Sequence, residues 1–433
     1  MKKYLKLTLA VLLISLLALA LFSCGESDGE QTSGDTLTLN VYNWGEYISD
    51  GSFDSFDTNA EFEKYYYEKF GVRVKVNYST YATNEDMYSK LKNSAVSYDI
   101  VIPSDYMVQK MIEEDMLLEF NAESEIENYG NIMDEFKGLY YDEHNKYSVP
   151  YTYGMLGIIY NTDLVDAEDV ADESWSLLWN EKYKGKILQF NNPRDAFATA
   201  MYYKGIDVNS QSTQDWDRAL EILKEQKPLV QGYVNDEIFN KMTTASAAIA
   251  PYFAGDFITM AEQNESLAFY YPTEGVNYFV DAMCIPKTAK NVDVAKEYIN
   301  FMLSEDAAVA NSLYIGYASP NTLVRESAEY ADEMGEDAMS ILYSASPAEI
   351  NAEYNATFGT ACYKSFPPEI QAHVNTLWES LKTENATELW VHIATAVIVG
   401  AVLTLAIYTT CVKKKRSRDY RLRDITKKAS KTK

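Results

Sequence analysis

The chain has 433 residues with a formal net charge of −26, 47% hydrophobic and 24% charged residues. That composition excludes intrinsic disorder and collagen-like repeats, and the length leaves room for two or three units that each bury a core. Four cysteines are too few for a disulfide scaffold. So acidic a chain also lacks the basic surface that sequence-independent nucleic-acid binding needs, and a cationic partner suits it better.

In chain order, the first predicted element is an apolar run, Leu5 to Phe22, behind basic Lys2 and Lys3. It closes on Leu21-Phe22-Ser23-Cys24, a small residue before a cysteine. Residues 1–23 therefore read as a lipoprotein signal peptide, with Cys24 as the lipidation site and the polar, Gly/Ser-rich 24–35 as a flexible tether. Near the other end, Leu389 to Val412 is apolar apart from His392 and a few threonines. At ~1.5 Å per residue it is long enough to cross a ~30 Å hydrocarbon core as a transmembrane helix over 389–412. Lys413-Lys414-Lys415-Arg416-Ser417-Arg418 follows, so the positive-inside rule makes 413–433 a cytoplasmic tail. The expected location is the cell membrane, with the acidic body between the two segments on the extracytoplasmic side.

Within that body, strands are predicted at Leu37–Tyr42, Val72–Asn77, Tyr98–Ile102, Leu156–Tyr160, Ala247–Ala250 and Phe279–Ile285. Helices are predicted at Phe56–Phe70, Met87–Asn93, Asp195–Tyr203, Thr213–Glu225, Val292–Leu303 and Ile370–Thr383. The alternation is that of an α/β fold, without a repeat of fixed period. Such sheets bind ligands beyond the carboxyl ends of their strands.

Three post-strand segments carry an aromatic with a carboxylate: Asn43-Trp44-Gly45-Glu46-Tyr47, Pro103-Ser104-Asp105-Tyr106 and Tyr252-Phe253-Ala254-Gly255-Asp256. Aromatic faces attract an ammonium by about 0.5–2 kcal/mol each, and a carboxylate adds a charge-assisted hydrogen bond. With 35 tyrosines in the chain, the same residues also suit plain packing. Asp281 lies in the apolar run Phe279–Ile285 and needs a partner there, either an internal donor or a ligand cation. Trp175 and Trp179 read as core. Cys284 and Cys362 are either bridged or free, and Cys411 either free or acylated.

Catalysis is poorly supplied, with three histidines and no His-x-x-x-His, Cys-x-x-Cys or Gly-x-Ser-x-Gly pattern. A carboxylate-pair glycan hydrolase and an iron-binding receptor are the alternatives to amine binding. No cofactor or metal is called for.

The segments Val41-Tyr42-Asn43-Trp44-Gly45-Glu46-Tyr47, Tyr78 to Tyr88, Tyr98 to Ser104, Ser174 to Trp179 with Tyr183 to Lys186, and Ile315-Gly316-Tyr317-Ala318-Ser319-Pro320-Asn321 together resemble the spermidine/putrescine-binding proteins of bacterial polyamine ABC transporters. The likeness covers about residues 36–384. It implies a two-lobed periplasmic-binding-protein clamshell of type II-like architecture, with 36–147 and 281–328 as the first lobe and 148–280 and 329–384 as the second. Tyr147–Tyr151 and the stretch before Asp281 would cross between them. The implied partners are a polyamine and an ABC permease with its ATPase. By motif the resemblance places Trp44, Glu46, Tyr47, Ser104, Tyr106, Asn192, Asp195, Phe253, Phe279, Asp281 and Tyr317 around the ligand. Asp256 joins them, like the carboxylate of putrescine-preferring relatives, while Asn192 is neutral where spermidine-type relatives carry an acid. Phe253 and Phe279 stand where those relatives have tryptophan, which weakens the cation–π contribution. Together these departures favour putrescine over spermidine.

Overall fold

The computed structural model describes residues 36–93, 96–343, 361–383, 397–402 and 404. The first strand, β1 (Leu37–Trp44), buries Leu39, Val41 and Tyr42 and pairs in parallel with β2 (Val74–Tyr81) and β3 (Ile100–Val101). Parallel neighbours need crossovers, and the helices Thr58–Phe70 and Asn84–Asn93 supply them. The first begins where the Asp57 carboxylate accepts from the Ala60 N–H at 2.9 Å, a cap worth ~1 kcal/mol, and ends at Gly71 with φ 67°. Its Phe62 and Tyr66, four apart, face the core.

A second parallel set is formed by β5 (Ile187–Phe190), flanked by β6 (Val230–Val234) and β7 (Ile249–Phe253). The sets are joined by β4 (Ser148–Asn161) and β9 (Tyr278–Cys284). Antiparallel pairs run from Ser148↔Cys284 to Met155↔Tyr278, and beyond them Leu156–Tyr160 turns to β7. The end of β4 also pairs with β8 (Leu267–Tyr270), and Val101↔Cys284 docks β9 on β3. The order is β2-β1-β3-β9-β4-β7-β5-β6. The carboxyl ends of β1, β2 and β3 and those of β5, β6 and β7 therefore open on one cleft, with the β4/β9 ribbon between the two sets.

Sequence and structure differ where burial hides periodicity. The predicted strand Leu156–Tyr160 is only the second half of β4. Nearly every β4 residue is buried, so no period-2 pattern marks its beginning at Ser148. Trp175–Trp179, read as core in the sequence, forms a 3₁₀ helix, so the two rings do not share a face. Trp175 is buried, donating to the Gly275 carbonyl at 2.8 Å, while Trp179 stacks on Tyr203 with ring centroids 4.7 Å apart. Cys284 and Cys362 are free thiols.

Leu5–Phe22, Cys24 and the tether lie outside the described residues, as do Cys411, the basic tail and Leu389–Val412 apart from 397–402 and 404. Among the described residues no helix is long and apolar enough to cross a membrane.

Candidate functional site

The cleft between the two strand sets encloses about 870 Å³, counting its open mouth. The end of β1 and the loop after it contribute Trp44, Glu46 and Tyr47, and the turn after β3 with the start of the helix Asp105–Glu113 contributes Ser104 and Tyr106. From the opposite wall, Asn192 caps the helix Pro193–Tyr203. Its Oδ1 accepts from the Asp195 N–H at 2.8 Å, and its Nδ2 donates back to Asp195 Oδ2 at 2.9 Å. Phe253 ends β7, and Asp256 sits in the first turn of the helix Ala254–Ala261 that follows. Phe279 and Asp281 come from β9, and Tyr317 follows the Gly316 cap of Glu305–Ile315. All twelve residues singled out in the sequence line this one cleft.

Their rings form a continuous lining. Tyr47 meets Tyr317 edge-on at 5.0 Å between centroids, Tyr317 lies 6.2 Å from Phe279, and Phe279 lies 5.4 Å from Phe253. The Tyr47 hydroxyl donates to Asp281 Oδ2 at 2.7 Å and contacts the Thr152 hydroxyl, while the Tyr317 hydroxyl donates to Asp256 Oδ2 at 2.9 Å. A path thus runs from the Asp256 carboxylate across two rings set edge to face to Asp281. Asp281 has its partner in Tyr47, but its Oδ1 is buried with no hydrogen-bond partner among the described residues.

Burial dominates the electrostatics. It pushes Asp256 up to about 8, against the Tyr317 hydroxyl and with the help of neighbouring Asp236 and Glu46. Asp281 is pushed up to about 6 by burial, opposed by the hydroxyls of Ser104 and Tyr47. Asp195 is likewise pushed to about 6 by burial, with Asn192 and Tyr363 opposing and Glu85 reinforcing. The acids that disturb one another fall into two groups: Asp256 with Asp236 and Glu46, and Asp195 with Glu85 and Asp281. The buried members, Asp256, Asp195 and Asp281, are costly as carboxylates without a cation, and the two groups have aromatic rings between them.

Several lining residues were not singled out in the sequence. Glu85 sits in the quoted Tyr78–Tyr88 segment and accepts from the Tyr106 hydroxyl at 3.1 Å. Asp105, the carboxylate of the Pro-Ser segment noted in the sequence but not assigned to the ligand, accepts from the Tyr106 N–H at 2.7 Å and is pushed well up by burial. Asp236 follows β6, whose Val-Gln-Gly-Tyr-Val carries little strand signal, and it lies against Gly45. Tyr363 donates to Asp195 Oδ1 at 3.1 Å from a segment where the motif likeness fades.

Gly255 makes the Tyr317 position possible. A Cβ there would lie 2.3 Å from the Tyr317 ring. Gly255→Ala is expected to push the ring off Asp256 at a cost of about 1–3 kcal/mol in stability. It should also weaken ligand binding, read together by thermal melting and titration; unchanged values would show that the contact yields freely.

The bacterial extracellular solute-binding protein model matches residues 60–335. The chain belongs to that family. It is 32% identical to the spermidine/putrescine-binding periplasmic protein of Salmonella typhimurium over 312 residues, 72% of this chain and 85% of the relative. It is 29% identical to a putrescine-binding periplasmic protein of Escherichia coli, covering 67% and 79% of the two chains. Among solved structures, the spermidine/putrescine ABC transporter substrate-binding protein of Streptococcus pneumoniae aligns with a TM-score of 0.62 at 34% identity, over 80% of this chain and 99% of that one. The resemblance carried by the sequence motifs is borne out, and with it the two-domain α/β periplasmic-binding-protein fold. The expected cell-membrane location with a cytoplasmic tail is corrected. Family relatives are described as periplasmic proteins, and among the described residues no helix could span a bilayer.

Proposed function

We propose that this solute-binding protein captures a linear polyamine in the cleft and delivers it to an ABC importer, acting by binding rather than turnover. One observation carries the reading: two groups of acids, one around buried Asp256 and one around buried Asp195 and Asp281, joined through the edge-on rings of Tyr47 and Tyr317. A diamine offers the complementary pattern, with an ammonium for each acidic group and methylenes for the rings between. The names of the relatives support the same ligand class.

In this reading the twelve motif residues, from Trp44 to Tyr317, hold the ligand. The lobes divide near β4 and β9, at 36–147 with 281–328 and 148–280 with 329–384. Closure about these strands presents the loaded form to a permease and its ATPase. Putrescine is preferred over spermidine, because Asp256 is present and Phe253 and Phe279 offer weaker cation–π faces than tryptophan. Leu5–Phe22 and Cys24 serve as export signal and acyl acceptor.

Isothermal titration of the full chain with putrescine and spermidine tests the proposal, with mass spectrometry of the exported protein checking Cys24. Micromolar or tighter binding is expected, putrescine the tighter. Absence of heat with either amine from folded protein would sink the receptor assignment. Spermidine binding more than about tenfold tighter, ~1.4 kcal/mol, would sink the putrescine preference alone.

A further inference from the structure

Residues 361–366 run as a strap between elements of both strand sets. The Ala361 N–H donates to the Val276 carbonyl at 3.0 Å, and the Ser365 N–H donates to Gln109 Oε1, on the helix Asp105–Glu113, at 2.9 Å. Asn209 holds the middle, its Nδ2 donating to the Cys362 carbonyl at 2.9 Å and its Oδ1 accepting from the Lys364 N–H at 2.8 Å.

Arg194 packs against this strap and is only 4% exposed. Its guanidinium carbon lies 3.6 Å from the Phe366 ring centroid and 4.5 Å from that of Tyr363. Nη2 donates to Asn209 Oδ1 at 2.8 Å and to the Lys364 carbonyl at 3.2 Å. Nε and Nη1 are buried with no hydrogen-bond partner among the described residues. A cation buried among rings and neutral oxygens is costly, and an apolar side chain would fill the same space more cheaply. A role in the adjoining cleft accounts for the charge.

We propose that Arg194 is a positioning residue for cation capture: it pins the 361–366 strap and, through Tyr363, fixes the Asp195 carboxylate for an arriving ammonium. The proposal rests on the polyamine reading. The field of Arg194 acts in the same direction, lowering Asp195, Glu85 and Asp105 against the burial that raises them. Asp195 is faced by Asn192 and Arg194 from its own helix, by Tyr363 from the strap, by Glu85 after β2, by Tyr106 after β3 and by Asp281 on β9. Without Arg194 the carboxyl takes up its proton at higher pH, where an ammonium then finds no anion.

The test titrates the full chain, wild type, Arg194→Met, Arg194→Lys and Tyr363→Phe, with putrescine and spermidine from about pH 5 to about pH 8, beside thermal melts. Arg194→Met is expected to bind at least about tenfold more weakly, with the acid limb of binding moved to higher pH. Tyr363→Phe should weaken binding by less, and adding it to Arg194→Met should cost nothing more. Arg194→Lys should keep the wild-type acid limb while losing part of the affinity, and it carries the test with Tyr363→Phe if the methionine variant fails to fold. Variants that melt earlier yet bind with wild-type affinity and pH profile would overturn the positioning role and leave the receptor reading intact. A wild type inert to both amines would overturn both.

Discussion

Asp281→Asn is expected to weaken putrescine binding by about 100-fold or more, because removing one partner of a buried charge pair costs ~3–5 kcal/mol. The same change should raise the melting temperature of the empty protein. In the empty cleft the Asp281 carboxylate has one oxygen on the Tyr47 hydroxyl and the other unpaired, and burial pushes it up to about 6. A carboxyl raised in the folded state stabilises that state when protonated. Its contribution is complete below the unfolded value and is lost as pH rises through about 6. The asparagine variant loses this dependence and the neutral-pH penalty together. Titration and melting of one preparation check both arms; a variant that binds normally, or melts earlier at neutral pH, contradicts the assignment of Asp281 as a charge awaiting its counter-ion.

Binding itself should be steeply pH-dependent. At neutral pH Asp256, pushed up to about 8, is largely protonated in the empty cleft, whereas Asp195 and Asp281, at about 6, are largely ionised. A diammonium that pairs with Asp256 must expel its proton. Capture near pH 7 is therefore expected to release close to one proton, seen as a dependence of the calorimetric enthalpy on the ionisation enthalpy of the buffer. Affinity should rise between about pH 5 and about pH 8, by up to about tenfold per pH unit for each proton displaced. In Asp256→Asn the release near pH 7 should largely vanish. A flat affinity over that range would mean that these carboxylates are not the groups that meet the ligand.

The site was legible in the sequence because its residues follow strands whose pattern is visible. The β1 residues before Trp44-Gly45-Glu46-Tyr47 alternate apolar and polar from Leu37 to Val41, the β9 residues around Asp281 are an apolar run, and the loops after parallel strands converge by topology. Asp236 was not legible, since β6 includes Gly232 and half-exposed residues and so lacks a strand signature. Arg194 stands next to Asp195 in the sequence, and nothing local distinguishes a guanidinium that stacks on Phe366 from one in solvent. That distinction is made by the strap, more than 150 residues further along the chain. β4 escaped for the opposite reason: it is buried on both faces, so only its length and neighbours reveal it.

The docking of β9 on β3, through Val101 and Cys284, has a consequence for how the molecule is made. β1, β2 and β3 are synthesised early, yet the edge of β3 stays unpaired until β9 has followed every strand of the other set. Contacts this distant in sequence close slowly, because the loop entropy is lost before the pairing is gained. Folding is therefore expected to be limited by this late closure, its rate depending more on mutations in β9 than on equally buried ones in β2.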